Sequence, residues 1–250
     1  HAQRRSDHGR AATRGPSVKP ASTTARRGDW LVPSLLLLLA LVPSVAGAVR
    51  VADLARGGPI TEANARFMAM PLPVLLHVLA AVPFGMVGAF QFSAGLRRRA
   101  PRVHRAAGWL LLPLALLVAV TGLWMTLTYP WPAGDGVALY AMRLVFGAAM
   151  LGSVVLSLDA IRRRRFAEHG AWMTRAYAIG MGAGTQVITH LPWFLLVGQP
   201  TEGPRAVMMG LGWLINIAVA EWVIRRGVVR VGNRGTARSP QLLPHHQLEA

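Results

Sequence analysis

The chain has 250 residues, of which 53% are hydrophobic and 15% charged; 27 Lys and Arg against 10 Asp and Glu give a net charge of +17, and cysteine is absent. A soluble domain is excluded by a mean hydropathy of +0.38 and by apolar stretches that repeatedly reach bilayer-spanning length. Missing cysteine excludes disulfides, iron–sulfur clusters and thiolate chemistry, and arginines placed beside apolar blocks argue for membrane topology over nucleic-acid binding.

In chain order, residues 1–29 are polar, Arg-rich and punctuated by Pro and Gly, which predicts a disordered basic cytoplasmic tail. The first apolar block, Trp30 to Val49, lies between Arg26-Arg27 and Arg50. Ala46-Gly47-Ala48 resembles a signal-peptidase site, but the segment before the block is long for a secretory signal, so a retained anchor is expected. A mixed-charge loop with Asp53, Arg56, Glu62 and Arg66 leads to block two, Pro71 to Phe92. The loop Ser93 to Gly108 then carries Arg97, Arg98, Arg99, Arg102 and Arg105 with no acid.

Block three, Trp109 to Tyr129, ends in the turn-rich Pro130 to Gly136. Block four, Leu139 to Ile161, is closed by Arg162 to Arg165. Block five, Ala176 to Val197, and block six, Ala206 to Ile224, are joined by a short Pro/Gly loop. Arg225-Arg226 terminates block six, and a second basic tail follows, 227–250, whose His245 and His246 are expected to be solvated.

About 20 residues at 1.5 Å each cover the roughly 30 Å hydrocarbon core, and backbone groups there must bond within the segment. The expected fold is therefore an all-α integral membrane protein, a six-transmembrane-helix bundle spanning residues 30–226. Arg-rich and Arg-poor connections alternate and both tails are rich, which sets an N-in/C-in orientation. Trp30, Trp109, Trp124, Tyr129, Trp131, Tyr140, Trp193 and Trp222 sit near block ends as an aromatic belt. Lys19 is the sole lysine, and this Arg-, Ala- and Gly-rich usage points to the cytoplasmic (inner) membrane of a GC-rich bacterium.

Outside the tails lie His77, His104, His169 and His190. His77 and His190 each fall about 9–12 Å inside the outer end of their blocks at 1.5 Å rise per residue. His104 and His169 share the inner level, in the two Arg-rich loops. His169 and His190 would stand about 32 Å apart along a continuous helix, so the histidines sort into an outer and an inner pair. Two imidazoles on facing helices can fill both axial positions of a haem iron, and Arg143 could pair with a propionate.

Other roles compete for the same residues. His77 and His190 could serve only interhelical hydrogen bonds, with Gln186, Thr189 or Asn216 as partners; Arg143 could snorkel; His104 and His169 could be solvated. Ala81/Gly85 and Gly180/Gly184 fit the small-xxx-small packing pattern, and Asp159 and Glu221, near Arg-rich ends, are expected in salt bridges. No zinc-hydrolase His spacing, Ser-His-Asp set or paired catalytic carboxylate is recognisable.

Several stretches are distinctive together: Arg66-Phe67-Met68 leading to His77, Gly88-Ala89-Phe90-Gln91-Phe92-Ser93, His104-Arg105-Ala106-Ala107-Gly108, Tyr140-Ala141-Met142-Arg143, His169-Gly170-Ala171-Trp172-Met173-Thr174-Arg175 and Thr189-His190-Leu191-Pro192-Trp193. Over Arg66 to Arg226 the chain resembles the bacterial membrane-protein family named domain of unknown function 2306, a name that implies no reaction. At a coarser level the arrangement is similar to transmembrane di-haem cytochromes of the b561 type, which implies two layers of histidine ligands. That resemblance departs at His104 and His169, which here fall at or beyond the expected helix ends.

Two functions follow as expectations. One is a b-type haem protein moving electrons with a redox partner or quinone: His77 and His190 hold an outer haem iron, His104 and His169 an inner one, and Arg143 a propionate. The other is a membrane transporter, small-ligand or metal binder, or assembly partner without haem, its polar interior formed by His77, Gln91, Arg143, Gln186, His190 and Asn216.

Overall fold

The computed structural model describes residues 28–236, and every regular element among them is helical. In order they are α1 Gly28–Arg56, α2 Ala65–Ala69, α3 Pro71–Ala89, a 3₁₀ turn Phe90–Phe92, α4 Ala94–Arg99, α5 Pro101–Thr128, α6 Val137–Arg162, α7 Phe166–Gly180, α8 Gly182–Leu196 and α9 Glu202–Thr236. Residues 1–27 and 237–250 of the two expected tails, His245 and His246 included, lie outside the described residues.

Local chemistry sets these boundaries. Pro71 and Pro101 begin α3 and α5 in the first turn, where the missing amide costs no hydrogen bond. The Ser93 hydroxyl caps α4 by accepting from the Leu96 amide at 3.2 Å. At the end of α6, Arg164 adopts a left-handed φ of 59° while the Arg165 amide reaches back to the Ala160 carbonyl at 2.8 Å, closing the helix.

Among the described residues, five helical stretches are long and apolar enough to cross a membrane: Asp29–Arg56, Pro71–Phe92, Pro101–Thr128, Val137–Arg162 and Glu202–Gly227. Several helices outrun their apolar blocks. α1 continues to Arg56, α5 starts at Pro101 and not near Trp109, and α9 extends into the expected tail. Hydropathy marks the length that lipid covers, whereas helical hydrogen bonding continues until Gly or Pro stops it. His104 and His169, expected in loops, therefore stand in the first turns of α5 and α7.

The fifth block is two helices, with a break at Met181. The break is slight: Met181 keeps φ −73° and ψ −4°, its amide bonds the Tyr177 carbonyl at 2.9 Å, and its own carbonyl accepts from Gly184 at 3.1 Å. α7 and α8 together run antiparallel along α9. Arg175 meets Glu221, Asn216 reaches both Ala178 and Thr185, and Gln186 and Thr189 reach the Met209 and Met208 carbonyls. Each step up α7–α8 is thus matched by a step back along α9.

Neighbours pack as α1 on α3 and α8, α3 on α5, α5 on α6, α6 on α7, and α9 on α7 and α8. The buried centre joins Ala40, Ala80, Phe84, Ala115, Ala119, Met150, Ala176, Tyr177 and Met181, and the Tyr177 hydroxyl donates to the Gly85 carbonyl at 2.7 Å. Small residues let α1 and α8 approach closely: a Cβ on Gly184 would lie 2.1 Å from the Leu39 carbonyl oxygen. Large apolar side chains meanwhile face outward, Leu79 at 63% and Leu195 at 71% exposure among them. An apolar exterior around a closely packed helical interior suits lipid as solvent.

Candidate functional site

Where α1, α3, α5 and α6 meet the α7–α8 break, the bundle lines a half-open cavity of about 500 Å³. Its walls are largely apolar, among them Ala40, Val78, Ala119, Phe146, Met150, Met181 and Trp213. Polar groups enter at few points: Ser44 from α1, His77 from α3, Arg66 from α2, Thr126 from α5 and Tyr129 after it, Tyr140 and Arg143 from α6, and Gln186 from α8. Concave, mainly apolar space with a few polar groups is the ordinary form of a small-molecule site, and the volume lies within the usual range of roughly 300–1,000 Å³.

The tautomer of His77 follows from its partner. Its Nδ1 lies 3.0 Å from Thr121 Oγ1, and that hydroxyl already donates its single proton to the Leu117 carbonyl at 2.5 Å. Thr121 Oγ1 must therefore accept, so Nδ1 carries the proton and, in the neutral ring, Nε2 carries the lone pair. Gly122 lies against the ring, 3.5 Å from Cε1 to where a Cβ would stand.

The same argument applies to one other histidine. His190 Nδ1 is 2.7 Å from the Gln186 carbonyl, and a carbonyl only accepts, so that ring keeps Nε2 as the open ligand position in its neutral form. His169 Nδ1 meets both the Ser157 hydroxyl at 2.8 Å and the Ser157 carbonyl at 3.1 Å. His104 Nδ1 is buried without a hydrogen-bond partner, and His104 lies within electrostatic reach of His169.

Of the two pairs expected from sequence, the structure thus brings His104 and His169 into one neighbourhood at the basic end. It places His77 in the cavity wall and His190 outside that wall, on a helix that packs mainly against α9 and α1. No hydrogen bond or electrostatic interaction links His77 to His190. Among the described residues no three His, Asp or Glu side chains converge as a metal cluster.

At the end of the cavity opposite the Arg-rich loops, Asp135 is buried, with 2% of its side chain exposed, and bonds Arg143 of α6 and, at 2.7 Å, Arg205 of α9. The loop after α5 is thereby tied to two helices, and Arg143 has a protein carboxylate as its partner. Arg66 stands beside them with no ion pair within 4 Å among the described residues and with its Nε buried and unbonded. Burial pushes the Arg66 guanidinium below its ordinary value, opposed by Asp135 and reinforced by Arg143, Arg50 and Arg205. Its cationic form is thus held in an unfavourable place.

Phe67 carries the guanidiniums of Arg50 and Arg66, each 4.6 Å from its ring centre, and packs edge-on against Tyr129 at 5.5 Å. Tyr129 in turn donates to the Met70 carbonyl at 2.7 Å, and burial pushes its phenol up.

Sequence reasoning singled out Arg143 but gave no site role to Arg66, Arg205 or Asp135. A signal was present: arginines on the Arg-poor side of a membrane protein run against the topology rule and need another reason to be there. At the basic end the expected salt bridges form, Asp159 with Arg163 at 2.8 Å and Glu221 with Arg175 at 2.5 Å. Gln91 contributes no hydrogen bond through its buried Nε2, while Asn216 joins α9 to Thr185 at 2.7 Å and to the Ala178 carbonyl at 3.0 Å.

The model of a family described as predicted membrane protein (DUF2306) matches residues 74–224. No curated protein and no solved structure matches the chain, so the coarser likeness to b561-type cytochromes gains no support.

Proposed function

The chain belongs to the predicted membrane-protein family DUF2306, whose description names no reaction, and we propose that it binds a small, largely apolar molecule in the cavity beside His77. The single observation carrying this conclusion is the cavity of about 500 Å³ at the meeting of the crossing helices, mainly apolar, with one imidazole, a few hydroxyl and amide groups and a charged end. Purification in zwitterionic-lipid nanodiscs followed by native mass spectrometry tests it. A bound small molecule is expected in the unmodified protein and not in Gly122→Leu, whose side chain projects from the wall beside His77. An identical mass profile for the two proteins sinks the proposal.

The membrane frame of this reading has six crossings, N-in and C-in, in a bacterial cytoplasmic membrane. The broken pair α7–α8 would supply the sixth span, a reading supported by its antiparallel run beside α9 from Arg175 to Thr189. A chain without cysteine makes the test simple. Single cysteines at Ala133 and Thr201 should react with an impermeant maleimide on intact cells, and one at Ala167 only after permeabilisation. Labelling of Ala167→Cys and Thr201→Cys from the same side would remove the sixth span.

A second reading, favoured by the histidine tautomers, fills the cavity with haem b on His77 and makes the protein a one-electron carrier between a redox partner and a quinone. His77 would be the ligand inside the cavity, whereas His190, the expected outer companion, lines no part of it; His104 with His169 would be an inner pair. Haem would supply the electron chemistry; the chain supplies Nε2 lone pairs on His77 and His190, set by Thr121 and Gln186. Reduced-minus-oxidised absorption bands lost in His77→Ala are expected. Protein without such bands from haem-replete cells eliminates it.

A further inference from the structure

We propose that the molecule in this cavity carries an acidic head, a carboxylate or phosphate on an apolar body, and that Arg66 grips this head with Arg143 and Arg205 at its back. The inference rests on the ligand-binding reading above and narrows its chemistry.

Charge balance is the first support. Around Arg66 stand the guanidiniums of Arg50, Arg143 and Arg205 and the carboxylate of Asp135, so that with Arg66 itself four cations face one anion. Asp135 is already engaged through both oxygens, one to Arg143 and one to Arg205, so it has little left for Arg66. Glu202 lies against Gly136 and is not among the groups acting on Arg66. Part-buried cations in excess, next to lipid, raise each other's free energy, and an anion arriving among them relieves it.

Hydrogen-bond geometry is the second. Arg66 lines the cavity and has a buried Nε without an acceptor. A guanidinium has only donors, in a planar fork that matches a carboxylate or phosphate. Phe67 fixes the plane of that fork by lying under it, 4.6 Å from ring centre to Cζ. Immediately beyond the charged end the walls are apolar, so a neutral polar ligand would leave Arg66 unmatched and a small free anion would leave most of the cavity without contacts. An acid on an apolar body satisfies both regions.

The probe is a long-chain fatty acid bearing an anthroyloxy fluorophore, titrated into the full chain in phosphatidylcholine nanodiscs beside its methyl ester. The acid should bind at least about tenfold more tightly than the ester, with the difference shrinking as salt rises. Arg66→Gln should weaken the acid about tenfold and leave the ester unchanged, Arg66→Lys should fall between, and Arg164→Gln at the opposite end should change neither. Equal binding of acid and ester to the unmodified chain overturns the acidic-head inference while leaving the cavity reading intact. Failure of both probes to bind, with no molecule copurifying, overturns both. Mass spectrometry and absorption of the copurifying molecule separate the sources of one chemistry: a porphyrin with propionates absorbs in the Soret region, and a fatty acid or phospholipid does not.

Discussion

Replacing Gly184 with alanine should destabilise the bundle although it improves helix propensity. The new Cβ would stand 2.1 Å from the Leu39 carbonyl oxygen, 2.7 Å from its Cγ and 2.9 Å from its carbonyl carbon. Ordinary carbon–oxygen contacts begin near about 3.3 Å. The gap must therefore open by about 1.2 Å, and the obstacle is helix backbone, not the tip of a side chain. Overpacking of this kind costs about 1–3 kcal/mol, against about 1 kcal/mol gained on removing a glycine from a helix interior. Gly152 supplies the control, since nothing lies within 4 Å of a Cβ there. Thermal unfolding followed by near-ultraviolet circular dichroism in one detergent should show Gly152→Ala at or above the parent and Gly184→Ala clearly below it. A Gly184→Ala protein as stable as Gly152→Ala would refute the close seating of α1 on α8.

Asp135→Asn should cost about 3 kcal/mol, because removing a buried carboxylate leaves Arg143 and Arg205 without their shared partner; fluorescent-acid affinity should rise or hold as stability falls, and a parallel loss of both would count against the charge-balance argument. Tyr177→Phe should cost about 1 kcal/mol in thermal unfolding, the value of one buried hydrogen bond to the Gly85 carbonyl, with a null effect telling against that bond. Glu221→Gln should lower stability by about 1–2 kcal/mol through loss of the two-pronged contact with Arg175, and Arg175→Gln in the same background should recover part of it in a double-mutant cycle.

The membrane character and the placement of most spans were legible because hydropathy is additive along the chain. Trp30, Pro71, Leu139 and Ala206 all mark segments that the structure makes helical. Helix ends were less legible. Arg102 and His104 look like loop residues by polarity, yet Pro101 begins a helix that carries them as its first turn. The break at Met181 left no polar or proline signal, only Gly180, Gly182 and Gly184, which also fit close packing.

The candidate site was half legible. His77 and Arg143 stood out because ionisable groups in apolar segments need a reason to be there. Arg66, Arg205 and Asp135 did not, since each sits in or beside a connection where charge is unremarkable. They come together only because the loop after α5 folds back between α6 and α9.

Sequence alone determined that this chain lives in lipid, as an all-helical protein with basic loops gathered at one end, because burial in hydrocarbon constrains every residue of a span. Tertiary structure alone decided which side of each helix faces inward. It set His77 in a cavity wall and His190 outside it, drew His104 toward His169, and brought Arg50, Arg143, Arg205 and Asp135 within electrostatic reach of Arg66. Height along a helix follows from counting residues, but the direction a side chain points depends on which helices become neighbours, and that is settled only by packing.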